Sequence, residues 1–227
     1  MRAFIDCEQT FTSVAEPIMT TRGHSQAKPE GRPDARPDAK SRLHEAALRL
    51  ATLDESDTSV RAIAREAGVS QGALYRHYAS REDLLGAVFA EQIEPMIAHK
   101  EGLVAMRAPI RDRVREWVRS TYDRFDREPD GFAFVFLTTH NLPEKHKHIA
   151  GRQSALLTEL LRQWASEGKL KDMPIELASA MFVGLMLSVP ERVRKGSLAK
   201  PAAQYTDRIA DSIWAVLAEE EGESSLG

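Results

Sequence analysis

The run Ser70-Gln71-Gly72-Ala73-Leu74-Tyr75-Arg76-His77-Tyr78 holds the side chains whose types and spacing best support chemistry. If the run is helical, Gln71, Gly72, Ala73, Tyr75, Arg76 and His77 point outward and Leu74 points back. Gln71 can bond base edges, and Ala73 can touch a thymine methyl. Tyr75, His77, Tyr78 and the nearby Arg81 suit phosphate oxygens. Gly72 and Ala73 are small enough for the backbone to approach a duplex closely. Ser80 caps the helix that follows, and the dipole of that helix adds attraction for phosphate. This is the chemistry of nucleic-acid recognition.

Other chemistries find less support. His140, His146 and His148 invite a metal reading, but a two-residue spacing does not put His146 and His148 on one helix face. Glu144 is the only carboxylate close by in sequence. The single cysteine, Cys7, excludes a disulfide framework and a Cys-rich metal site. There is no nucleophile elbow, phosphate loop or paired zinc motif. Glu144, Glu159 and the histidines form no acid/base set. The expectation is a protein that is not an enzyme and needs neither metal nor cofactor.

The net charge is −3, so the whole surface gives no nucleic-acid signal and the case must be local. Residues 60–81 carry Arg61, Arg65, Arg76 and Arg81 against Glu66 alone, a net +3. Acids at Asp54, Glu55, Asp57, Glu82 and Asp83 flank this stretch. A narrow patch, not the whole face, would steer binding.

Two short helices must position that patch. Thr58 or Ser59 can cap the first, whose stripe is Val60, Ile63, Ala64 and Ala67. Ala64 is small where two helices cross. Gly68 can take the left-handed conformation of a tight turn, and Val69 can plug the corner. Ser70 caps the second helix. Together these residues fit a helix-turn-helix over about Thr58–Tyr78.

The remaining sequence also reads as helical. Leu43, Ala46, Ala47 and Leu50 form a stripe before the motif. Leu84 to Ile97 marks a longer joining helix, about Arg81–His99. Further stripes run from Val114 to Phe125, over Phe132–Asn141, and from Ile149 to Trp164, this last closed by Gly168. Two final helices are expected at about Ile175–Arg194 and Ala202–Glu219. The fold class is therefore all-α, with about nine helices and no strands. Residues 1–39 are expected to be a disordered tail, since 20–40 is rich in Pro, Gly and charge. Residues 40–86 would be the DNA-binding head, 87–221 a helical body, and 222–227 a disordered end. The longest apolar stretch, Met181–Val189, is too short to cross a membrane. With no signal peptide discernible, the cytoplasm is the expected compartment.

The span from Ser59 to Leu85, SVRAIAREAGVSQGALYRHYASREDLL, resembles the head of the tetracycline-repressor (TetR/AcrR) family almost throughout. The resemblance covers about residues 41–90. It implies a homodimeric transcriptional regulator, with three helices in the head and about six in a ligand-binding and dimerisation body. It also implies that a small molecule in the body changes the spacing of the two heads and releases operator DNA. By position in the motif, Thr58, Arg61, Ser70, Gln71, Ala73, Tyr75, His77 and Tyr78 fall where family members contact DNA. Arg81 stands where lysine is usual. Ala51 replaces a usual aromatic, and Asp54–Asp57 lacks the usual glycine.

In the body, Trp117, Thr121, Tyr122 and Phe125 share a helical face, and Phe134, Phe136 and Thr138 follow. They would line a pocket for an apolar or aromatic effector, or else form plain core. Met181, Leu185, Ile213, Trp214 and Leu217 would form a four-helix dimer interface, or else face the core of their own protomer. Gly184 would permit close approach there.

Overall fold

The computed structural model describes residues 38–53, 58–137 and 144–219. The tails, the glycine-free loop 54–57, Thr138 and His140 lie outside the described residues. What is described is nine α-helices and one 3-10 turn, with no strand. The helices are α1 Ala39–Leu53, α2 Val60–Glu66, α3 Gln71–His77, α4 Arg81–Ala105, α5 Ile110–Arg127, α6 Pro129–Phe136, α7 Glu144–Ser166, α8 Ile175–Arg194 and α9 Thr206–Leu217. The 3-10 turn, Ala202–Tyr205, leads into α9. Its first amides, of Ala202 and Ala203, both donate to the Asp126 carboxylate at 2.8 Å.

Three serines start the helices of the head. The Ser59 hydroxyl accepts from the Ala62 amide at 3.1 Å, Ser70 from Ala73 at 3.1 Å, and Ser80 from Asp83 at 3.0 Å. Each satisfies an amide that the helix itself leaves unpaired, worth about 1 kcal/mol. Glu82 and Asp83 in the first turn of α4 also match the positive end of its dipole.

Three helices differ from the expected bounds, the last of them α9, which begins at Thr206 behind the 3-10 turn and not at Ala202. The short apolar helix begins at Pro129, not Phe132, and its α-helical part ends at Phe136. Proline at the first helical position gives up no hydrogen bond and has the right φ already, so it starts α6 three residues early. The joining helix α4 runs to Ala105, beyond His99. Pro95 inside it forfeits one backbone bond, but Met96, Ile97 and Leu103 stay buried on either side of later turns and carry the helix past it.

Two apolar cores hold these helices. The first gathers Leu43, Ala47, Ile63, Leu74 and Leu84 from the head. It also takes Phe89, Ile93 and Ile97 from further along α4, Phe134 from α6 and Ile149 from α7. The second is built on Trp117, Tyr122, Phe125, Phe132, Trp164, Phe182 and Ile213. The three short helices are too small to bury a core alone. They borrow apolar surface from α4, α6 and α7, and this fixes the three short helices to the body. Helix α6 serves both cores, with Phe132 in the second and Phe134 in the first.

Candidate nucleic-acid interface

Helices α2 and α3 meet through the turn Ala67-Gly68-Val69. Gly68 has φ +63°. Its amide donates to the Arg65 carbonyl at 3.1 Å, and the Val69 amide reaches the Ala64 carbonyl at 2.9 Å. These are the two closing bonds of a glycine-terminated helix, and they need the left-handed residue at position 68. Leu74, fully buried, anchors α3 by its inner face. Helix α3 is thus set by a glycine turn, a serine cap and one buried leucine.

The outer face of α3 is open. Gln71, Gly72, Tyr75, Arg76 and His77 are exposed, and Ala73 is half-buried. Tyr75 stands out among the large hydrophobic residues, with 54% of its surface accessible. A β-carbon built on Gly72 would meet only the Ser70 hydroxyl oxygen, at 3.9 Å. The absence of a side chain at Gly72 therefore answers no packing need within the protein.

On α2, Ser59 and Arg61 are exposed as well. No ion pair is found for Arg61, Arg65 or Arg76 among the described residues. Glu66, the single acid of residues 60–81, lies 3.1 Å from Arg49 of α1. Its charge is already matched, which leaves the surface of α2 and α3 more positive than the sequence count implies.

Three residues expected at the interface are placed differently. Thr58 is buried. Arg81 Nε donates to its carbonyl at 2.5 Å, and the same guanidinium bonds the Thr58 hydroxyl. Arg81 therefore ties the start of α4 to the entry of α2 while remaining partly exposed. Tyr78 is also buried, and its hydroxyl lies 2.5 Å from Nε2 of His44. The other ring nitrogen of His44 bonds Glu91 of α4. Burial, with smaller effects from Glu91 and Asp38, pushes the Tyr78 hydroxyl up to about 12. The chain Tyr78–His44–Glu91 joins the end of α3, α1 and α4. The sequence reading missed it, although His44 shares a helical stripe with Ala47 and Ala51, all three buried.

In the body, six of the seven residues expected at a pocket are among the described residues, and these six do not converge. Trp117 and Phe136 line a cavity of about 170 Å³ with Gln153, Ser154 and Leu157 of α7 and Ser179, Val183, Met186 and Leu187 of α8. Tyr122 and Phe125 are packed in the body core instead, and the Tyr122 hydroxyl donates to the Met186 carbonyl at 2.9 Å. Phe134 belongs to the head core. Thr121 accepts from the ammonium of Lys100 at 3.0 Å. Lys100 is itself buried, which holds it well below the usual lysine range. Its other two bonds go to the Trp117 carbonyl and the Ser120 hydroxyl.

The five residues expected at the dimer interface divide. Ile213 and Leu217 are fully buried in the core of their own protomer. Met181, Leu185 and Trp214 are half-buried, and Trp214 stacks on Trp164 at 4.8 Å between ring centroids.

Residues 43–88 match the family profile of bacterial regulatory proteins, tetR family. No curated protein matches the sequence. Among solved structures, the chain resembles the transcriptional regulator FadR from Bacillus subtilis, solved with stearoyl-CoA, at TM-score 0.66 and 17% identity, covering 77% of this chain and 97% of that one. It also resembles a TetR family transcription regulator from Marinobacter aquaeolei VT8, at TM-score 0.66 and 24% identity, covering 80% and 96%. A third is the fatty acid degradation regulator FadR from Bacillus halodurans, at TM-score 0.64 and 17% identity, covering 79% and 96%. At these identities the likeness speaks for the fold.

Proposed function

With a tetR-family head at residues 43–88 on a chain of matching all-helical fold, we propose that this protein is a homodimeric repressor that a small-molecule effector releases from its operator. The observation that carries the DNA-binding part is the open face of α3. Gln71, Tyr75, Arg76 and His77 stand exposed on a firmly anchored helix around a glycine with no packing duty. In the proposed complex, α3 enters the major groove. Gln71 and Ala73 face base edges, while Tyr75, Arg76, His77 and Arg61 meet bases and backbone. Ser59 and Ser70 hold their helix ends toward phosphate. Thr58, Tyr78 and Arg81 support the head from within, with Arg81 exposed enough to reach a phosphate.

The dimer would form through α8 and α9. Leu177 is 50% accessible; Met181 and Leu185, one and two turns further along the same face of α8, are half-buried, as is Trp214 on α9. Two such helices from each protomer suit a two-fold four-helix interface. The effector would enter the cavity between α5, α6, α7 and α8. Phe136 lines that cavity, and Phe134 on the same helix sits in the head core. Movement of α6 would therefore reach the head directly.

Selection of bound duplexes from random DNA tests this reading. The expected product is a pseudo-palindrome whose half-sites lie about one helical turn, or a multiple of it, apart. An asymmetric single site, or no enrichment, would contradict it.

A further inference from the structure

Arg81 begins α4, and its guanidinium turns back onto a single residue. Nε donates to the Thr58 carbonyl at 2.5 Å, and Nη2 donates to the Thr58 hydroxyl. One planar edge thus holds both oxygens of one buried threonine. The rigid fork of a guanidinium suits such a pair of acceptors. A lysine ammonium, one atom on a flexible stem, does not hold both in one fixed geometry.

The two residues are 23 apart in the chain. Between them lie the Ser59 cap, α2, the Gly68 turn, α3 and the Ser80 cap. The clamp therefore ties the entry of the helix-turn-helix to its exit. Helices α2 and α3 have seven residues each, too few to be stable without outside support. Closing the motif on α4, a helix of 25 residues, supplies such support and sets where α3 points.

The Arg81 side chain is 35% exposed, so exposure alone does not decide its role. Its surroundings do. Nη1, the nitrogen that Thr58 does not engage, lies 3.5 Å from Glu82 Oε1. Glu82 and Asp83 both stand in the first turn of α4, so a phosphate brought to Arg81 would meet two carboxylates. To gain Nε or Nη2, it would have to take a charged donor from a buried threonine.

We infer that Arg81 is a positioning residue, which acts on operator binding through Thr58 by closing the helix-turn-helix on α4, and not through a phosphate. This role rests on the DNA-binding function proposed above.

Anisotropy titrations of the full chain with a selected operator and with random duplex, at matched salt, test it. Each variant is titrated well below the melting temperature that circular dichroism gives for it. Arg81→Lys keeps the charge, so a phosphate contact would survive it. With the clamp broken, operator affinity falls roughly tenfold while affinity for random duplex is unchanged. Thr58→Val removes one acceptor without altering charge, and has the same effect. The double variant falls no further than the weaker of the two single variants, because both break one clamp. Thr58→Ser keeps both oxygens and binds as the parent does. Arg81→Lys with the parent's operator affinity overturns the inference. So do equal losses on both duplexes, or losses that add in the double variant. A parent chain with no preference for any duplex over random DNA brings down the proposed function itself, and the role of Arg81 with it.

Discussion

Replacing Gly72 with alanine should stabilise the protein and weaken its hold on DNA, two effects of opposite sign from one methyl group. Gly72 lies in the first turn of α3 and is exposed. The added β-carbon meets nothing within the protein closer than 3.9 Å. Glycine in a helix costs roughly 0.5–1 kcal/mol relative to alanine, and the lower end applies in a first turn. The gain of roughly 0.5 kcal/mol should raise Tm by about 1–2 °C in a chain of this size. On the duplex, the same methyl intrudes where the α3 backbone approaches base edges. Overpacking of that kind costs about 1–3 kcal/mol, or roughly five- to 150-fold in Kd. Urea unfolding and fluorescence anisotropy with a selected operator measure the two quantities separately. Gly72→Val should deepen the DNA defect. Unchanged or tighter operator binding in both variants would refute the placement of α3 against DNA, whatever happens to stability.

Tyr78→Phe strips the hydroxyl that His44 holds, leaving a buried ring nitrogen short of a partner at a cost of about 1–3 kcal/mol. The affinity of the folded variant for DNA should stay as in the parent protein; equal weakening on operator and random duplex would mean that Tyr78 contacts phosphate after all. The same hydroxyl predicts a pH effect. Its raised folded value, about 12, means that its contribution is fully present below the unfolded tyrosine value of about 10 and is lost as pH rises through 12. Tyr78→Phe should lessen that alkaline loss, as urea melts at stepped pH would record. Gly86→Ala places a β-carbon 2.2 Å from Cδ2 of His146, so the ring must move or α4 and α7 must part, at about 1–3 kcal/mol; a wild-type melting curve would contradict a close fit there. Ile213→Ala should cost about 2–5 kcal/mol of protomer stability while leaving dimer dissociation unchanged, because Ile213 is fully inside its own core. Sedimentation equilibrium showing weakened dimers with unaltered unfolding would place it at the interface instead.

The head was legible because its determinants are local. Ser59, Ser70 and Ser80 cap through their own neighbours, and Gly68 closes its turn within five residues. Spacing in the sequence is enough to recognise such features. The body was legible only as periodicity. Whether Tyr122 or Phe136 reaches a cavity depends on the rotation of four helices about one another, and side chains on one stripe meet different neighbours along its length. Trp117 and Tyr122 share a face, yet one lines the cavity and the other bonds the backbone of α8. The Tyr78–His44–Glu91 chain was hidden for a related reason. Its members are separated by 34 and 47 residues, and an aromatic hydroxyl beside a recognition helix reads in sequence as a phosphate ligand. Gln153 falls on the apolar stripe from Ile149 to Trp164, but a stripe does not say which of its members reach a cavity.

The most direct measurement is the affinity of Tyr75→Ala and Arg76→Ala for a selected palindromic operator and for random duplex, at matched salt. Both positions are exposed, so both variants should melt as the parent does. Specific binding should fall to near the level of random duplex, while the weak, salt-sensitive binding to random duplex largely persists. Full specificity retained in both variants would contradict the assignment of α3 as the helix that reads DNA.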